Sequence, residues 1–269
     1  MRVPLIAAAL LTTTVITIEA AQVTIEAGQR VTTSTATSTT APAGPAPKRD
    51  ISGVWLGPGP APTLEPVAPM TPKGQALFDA SKPMYGDRAV PVAESDDPLV
   101  TCDPLGFPRS VLHELRGMEF VHTPAKTLLL LQYQRVFREI WTDGRTLPKD
   151  VGGTSPQSLD PRWYGYSIGR WVDDFTFVIE TVGATETTWG DEYGHPHGLG
   201  GRVEERYRRL DADTLEMIVT ISDPEMYTKP FVASRQLLKR GKELEEQLCV
   251  PSESLQYLET VARPASTPR

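Results

Sequence analysis

The chain predicts an all-β protein: an antiparallel meander of about eight strands closing into a lipocalin-like barrel, with one or two short helices. Three observations carry this expectation. Apolar residues recur with a period of two, as in "TLEMIVTI", where Leu215, Met217, Val219 and Ile221 share one face. Compact turn segments such as "VDD", "DADT" and "DPEMYTKP" separate the runs. Strand–helix–strand spacing is absent, and a meander of this length protects its edges most readily by rolling up. A two-sheet sandwich is the alternative arrangement.

Residues 1–21 read as an export signal. Arg2 precedes the apolar run "PLIAAALLTTTVITI", which is short for a membrane span, and the small residues Ala20 and Ala21 follow it. An uncleaved anchor is the alternative; cleavage leaves no stable membrane span and sends the chain to periplasm or medium. Residues 22–48 read as a disordered spacer, because every residue from Thr32 to Pro47 is Thr, Ser, Ala, Pro or Gly. Such a tract buries too little apolar surface to offset its ordering entropy.

The barrel domain is expected over residues 49–250, opening at "DISGVWLG", with a tail over 251–269. "TPKGQALFDASK" predicts a short helix capped by Thr71, with Pro72 in its first turn. A second short helix is expected near Lys242 to Gln247. The strands follow as "MEFVHTP", "KTLLLLQYQ", "RVFREIW", "WYGYSIGRW", "DFTFVIETVG", "RVEERYRRL", "TLEMIVTIS" and "VASRQLLKR". Asp143-Gly144 is a tight-turn pair.

Two strands carry charge on both faces. "YQRVFREIW" sets Tyr133, Arg135, Phe137, Glu139 and Trp141 against Gln134, Val136, Arg138 and Ile140; "RVEERYRRL" sets Val203, Glu205, Tyr207 and Arg209 against Glu204, Arg206, Arg208 and Leu210. An inward charge needs a partner. Pairs such as Arg138 with Glu204, or Glu180 with Arg206, answer that need across neighbouring strands. A lumen lined by paired charges and by Trp141, Tyr164 and Tyr166 suits one small ligand. The alternative is that these charges face water.

The formal charge of −7 argues against nucleic acid as a partner, because a groove that neutralises its phosphates needs a dense basic patch. No cofactor is expected, because no phosphate-cradling glycine loop is present. The two cysteines, Cys102 and Cys249, pair most simply as a disulfide in an oxidising compartment; two buried thiols are the alternative.

The segment "TWGDEYGHPHGLGGRVEERYRR" concentrates the titratable chemistry. His195 and His197 project to one side of an extended segment, with Asp191, Glu192, Glu204 and Glu205 nearby. Two histidines fall short of the three or four ligands that zinc sites use, so no metal is assigned. Either His197 or His195, with Asp191, Glu180 or Glu204 fixing its tautomer, makes an acid–base pair. The competing reading is a loop bonded to its own backbone. His113 and His122 are weaker candidates. Ser167 in "GYSIG" mimics a nucleophile elbow, but it sits in a strand-rich region without the required strand-to-helix turn.

Several blocks in order, "CDPLGFPR", "REIWTDGR", "GYSIGRW", "TTWGDEYGHPHG", "VEERYRRLDADTLEMIVTISDPEMYTKPF" and "QLCVPSE", resemble a large family of exported bacterial proteins, mostly of unknown function. The resemblance spans about residues 97–253 and implies export and a lipocalin-like barrel. Its pattern falls on Cys102, Gly106, Pro108, Arg109, Arg138, Asp143, Gly144, Arg145, Gly165, Ser167, Gly169, Trp171, Thr181, His197, Glu204, Arg206, Asp223 and Pro224. Related sequences carry a serine and an acid after the second histidine, where this chain has "GLGG".

Together these readings predict an exported barrel that holds a small, largely apolar molecule in an internal cavity. The alternative is an enzyme using that cavity for acid–base chemistry: a lyase, isomerase or hydrolase. Ligand contacts are expected from Tyr166, Arg138, Glu180, Arg206, Trp141 and Tyr164, and proton transfer from His197, His195, Asp191 and Glu204.

Overall fold

Among the described residues, alternating side chains give nine strands, in line with the about eight expected; the additional one is the short "GVWL" run at the start of the domain. The computed structural model describes residues 44–57, 67–112 and 117–266. The segment expected to be an export signal, most of the expected spacer and His113 lie outside the described residues.

The strands are β1 (Gly53–Leu56), β2 (Gly117–His122), β3 (Lys126–Leu131), β4 (Phe137–Trp141), β5 (Tyr166–Trp171), β6 (Thr176–Val182), β7 (Arg202–Arg209), β8 (Thr214–Ser222) and β9 (Phe231–Arg240). They form a closed barrel in chain order, and β1 pairs with β9 through Trp55↔Arg240 and Leu56↔Lys239. Strand direction cannot alternate all the way round a closed ring of nine. One neighbouring pair must run parallel, and it is β4–β5, joined only at Ile140↔Ser167 and Trp141↔Ile168. This corrects the uniformly antiparallel expectation. Gly144 does turn, with φ +86°, but the chain then travels through residues 142–165 before re-entering beside β4. A parallel neighbour requires such an excursion.

The predicted inward face of β8 is the observed one: Leu215, Met217, Val219 and Ile221 are buried. They meet Phe177 and Ile179 from β6, Val203 and Tyr207 from β7, and Met118, Phe120 and Leu129 from β2 and β3. Trp55 is fully buried, its indole N–H donating to the Ile51 carbonyl at 2.9 Å. In β9 a bulge opposite Val219/Thr220 adds one residue. The inward set therefore changes from Phe231 and Ala233 to Gln236 and Leu238, where simple alternation would fail. Side chains from the wall thus occupy the lumen.

Helix α1 (Pro72–Ala80) starts as predicted: the Thr71 hydroxyl accepts from the Gly74 N–H at 3.1 Å, and Pro72 occupies the first turn. The same hydroxyl donates to the Glu225 carbonyl at 2.5 Å, fastening α1 to the β8–β9 connection. Gly74 is required there because a Cβ would strike the Met226 backbone. A one-turn helix α2 (Arg109–Leu112) precedes β2.

The second helix expected near 242–247 is absent; those residues are irregular. Helical structure begins instead at Pro251, as α3 (Pro251–Tyr257) running on through a π-turn (Leu258–Ala262) to Ser266. Pro251 suits a first helical position and would break an interior one. Leu258 and Ala262 are buried, so much of the expected tail packs. Cys102 and Cys249 form the disulfide, 147 residues apart in sequence. Beside it, Ser254 donates to the Val100 carbonyl and Gln134 to the Cys102 carbonyl.

Candidate functional site

The connection between β6 and β7, residues 183–201, carries both histidines. Asp191 organises it. One carboxylate oxygen accepts the backbone N–H groups of Tyr193 (2.9 Å) and His195 (3.1 Å), and the other lies 2.6 Å from His195 Nδ1. Burial pushes the Asp191 carboxyl up, but the His195 imidazole and these N–H donors outweigh it and hold the group below its ordinary value. Phe78 of α1 stacks on the His195 ring at 4.6 Å. Arg88 lies 3.7 Å from the Phe78 centroid and donates to the Tyr193 carbonyl. Asp191 and His195 are thus in direct contact, and through Phe78 this contact joins the loop to α1.

His197 is buried, its Nε2 3.0 Å from the Thr188 hydroxyl. Desolvation lowers its pKa to about 4, so the ring is neutral near pH 7. It borders a cavity of about 400 Å3 together with Lys73, Ser81, Asp96, Glu186 and Trp189.

Inside the barrel lies a charge pair with different partners from those expected. Arg138 donates to both carboxylate oxygens of Glu205, at 3.0 and 2.7 Å, rather than pairing with Glu204. It also donates to Ser167 and Thr181, and Tyr207 donates to Glu205 at 2.8 Å. Arg138 stacks 4.0 Å over Phe107. Burial, then the neighbouring Glu205 charge, pushes the Tyr207 phenol far up, so it remains a donor. Ser167 is a buried member of this network in β5, not a nucleophile on an elbow.

Glu204 and Arg206 lie on the outer face, 3.5 Å apart and partly exposed. Glu180 is also outside, taking Arg170 at 2.8 Å and Arg202 at 2.6 Å rather than Arg206. The reason is visible in the strands. Glu205 shares its face with Val203 and Tyr207, whereas the Glu204 face carries Arg206 and Arg208. Apolar neighbours draw one face inward and desolvation cost keeps the other in water. A second buried pair, Arg109 with Asp97 at 2.8 and 2.9 Å, joins α2 to the preceding loop and was not anticipated.

The β4–β5 seam gathers the remaining candidates. Because these strands share only two register pairs, they leave a cleft of about 620 Å3 against the 142–165 connection. Trp141, Tyr164 and Tyr166 line it, and Arg138 reaches it from the lumen. Arg162 and Trp163 also line it without having been singled out in the sequence, and Arg145 had been singled out only through the family resemblance. Arg145 stacks 3.6 Å over Trp141 while its in-plane donors hold Asp143 at 3.0 and 2.6 Å. Arg162 stacks 4.2 Å over Tyr166. Leu147, Pro148, Leu159 and Ile168 add apolar wall. Burial raises the Tyr164 hydroxyl to about 12, so it stays protonated. The aromatic run "RWYGY" was the available signal.

Four of the six predicted ligand residues thus meet in one cleft, and Glu180 and Arg206 do not. Among the described residues, no cluster of His, Cys, Asp and Glu is placed to hold a metal ion, and no helix is long and apolar enough to cross a membrane. No known protein family, no curated protein and no solved structure matches this chain.

Proposed function

We propose that the protein is an exported binding barrel for a small, largely apolar molecule, held at the β4–β5 seam beside the barrel wall. The observation that carries this reading is the convergence of Trp141, Trp163, Tyr164 and Tyr166 on one cleft of about 620 Å3. That volume suits a drug-sized ligand, and aromatic walls with a few fixed polar groups are what such sites use. Export is supported by the N-terminal signal pattern and by the disulfide, which persists in oxidising compartments.

Native mass spectrometry of protein purified from its own host tests the reading. A retained molecule is expected, and Trp163→Leu releases it. A host-purified protein without a bound molecule, or one whose ligand survives both Trp163→Leu and Tyr166→Leu, refutes it.

The acid–base alternative rests on the Asp191–His195 contact and on His197 at its own smaller cavity. It carries less support. An efficient general base has a pKa near the working pH, and burial places His197 well below it. Once a substrate is found, turnover unchanged by His197→Gln and His195→Gln removes this alternative.

A further inference from the structure

We infer that the seam cleft takes a planar aromatic anion, with the Arg162 guanidinium binding its carboxylate; this rests on the reading of the cleft as the ligand site. Three arginines and one glutamate line the cleft: Arg138, Arg145, Arg162 and Glu139. Most of these charges are already matched. Arg138 is bidentate to Glu205, Arg145 is bidentate to Asp143, and Glu139 accepts from Lys126.

Arg162 differs. Its guanidinium carbon lies 4.2 Å over the centre of the Tyr166 ring, and its side-chain N–H groups make no hydrogen bond or ion pair among the described residues. The five N–H donors of a guanidinium lie in its own plane, so contact with an aromatic ring leaves them available to a ligand. An unused fork therefore lines the cleft beside an aromatic surface.

The backbone beneath is fixed. The Arg162 N–H donates to the Gly183 carbonyl at 3.1 Å, and its own carbonyl accepts from Gly165 and Thr185 at 3.1 and 2.9 Å. Only the side chain must be ordered on binding. A carboxylate is the group whose geometry matches the fork bidentately. The aromatic walls of Trp141, Trp163 and Tyr166 favour a flat ring attached to that carboxylate, by offset or edge-on stacking. An aliphatic acid of the same charge lacks the stacking, and a neutral ring leaves the fork unpaired.

The test is calorimetric titration with naphthoate and with naphthalenemethanol, its uncharged counterpart. Wild type is expected to bind naphthoate about tenfold more tightly, a difference of about 1.4 kcal/mol. Arg162→Gln removes that advantage and leaves the alcohol unchanged, and Trp163→Leu weakens both. Arg162 is exposed, so its replacement is compatible with folding. Equal affinities in wild type, or an advantage that persists in Arg162→Gln, overturn the anion inference while the cleft survives. Absence of binding by either probe, or binding indifferent to Trp163→Leu, overturns the cleft itself.

Discussion

His197 makes acid stability a quantitative test of how its loop is buried. The neutral ring is packed against Thr188, and burial brings its pKa from the usual 6.5 to about 4. In the unfolded chain the ring regains its ordinary value. As pH falls below about 6.5, the unfolded state binds a proton that the folded state refuses, so stability declines with falling pH. The contribution is complete above 6.5, is lost progressively through about 4, and changes no further well below it. A gap of roughly 2.5 pH units, at about 1.4 kcal/mol each, amounts to about 3.5 kcal/mol, of which about 3 kcal/mol is lost by pH 4, where the folded ring is half protonated.

Urea unfolding of wild type and His197→Gln, from about pH 7.5 to pH 4, isolates the effect. Gln carries a nitrogen that reaches Thr188 without titrating near neutrality. The stability difference between the two proteins is expected to shift by about 3 kcal/mol in favour of Gln across that range. His122, whose pKa is also lowered by burial, is present in both proteins and cancels. The Asp191 carboxyl, held below 3.8, acts only at the acid end of the range. A difference that stays constant with pH would show that the ring ionises freely and that its burial is not what the loop geometry implies.

Three further outcomes follow from the packing. Arg138→Met strands the Glu205 charge in the lumen and is expected to cost about 3–5 kcal/mol, whereas Arg138→Met with Glu205→Leu recovers much of it; a double variant no more stable than the single one contradicts the pairing. Gly74→Ala improves helix propensity by roughly 1 kcal/mol, yet the added methyl meets the Met226 backbone, so net destabilisation of about 1–3 kcal/mol is expected in urea melts. A more stable Gly74→Ala protein refutes that close approach. Replacing Cys102 and Cys249 with serine frees a loop 147 residues long and lowers stability by about 4–5 kcal/mol in the loop-closure treatment, read from the urea midpoint; an unmoved midpoint shows that the unfolded chain gains nothing from release.

The candidate site was partly legible. Trp141, Tyr164, Tyr166 and Arg138 were singled out from strand position and charge, and they meet at the seam. The charge partners were not. Glu204 and Glu205 are adjacent, and choosing between them needs the face as well as the strand. The needed signal was present, since Val203 and Tyr207 share the Glu205 face. Arg162 and Trp163 escaped notice because their role depends on a connection folding back over the strands it joins.

Read alone, the sequence determined most of the strand content, the inward face of β8 and the Thr71 cap, and it favoured the pairing of its two cysteines, because alternation, capping and cysteine count are short-range or single-valued properties. Tertiary structure alone decided that β5 runs parallel to β4, that Arg138 meets Glu205, and that the cleft opens at the seam. Those outcomes depend on strand direction and register between segments distant in the chain, and residue periodicity carries no information about which segment arrives alongside.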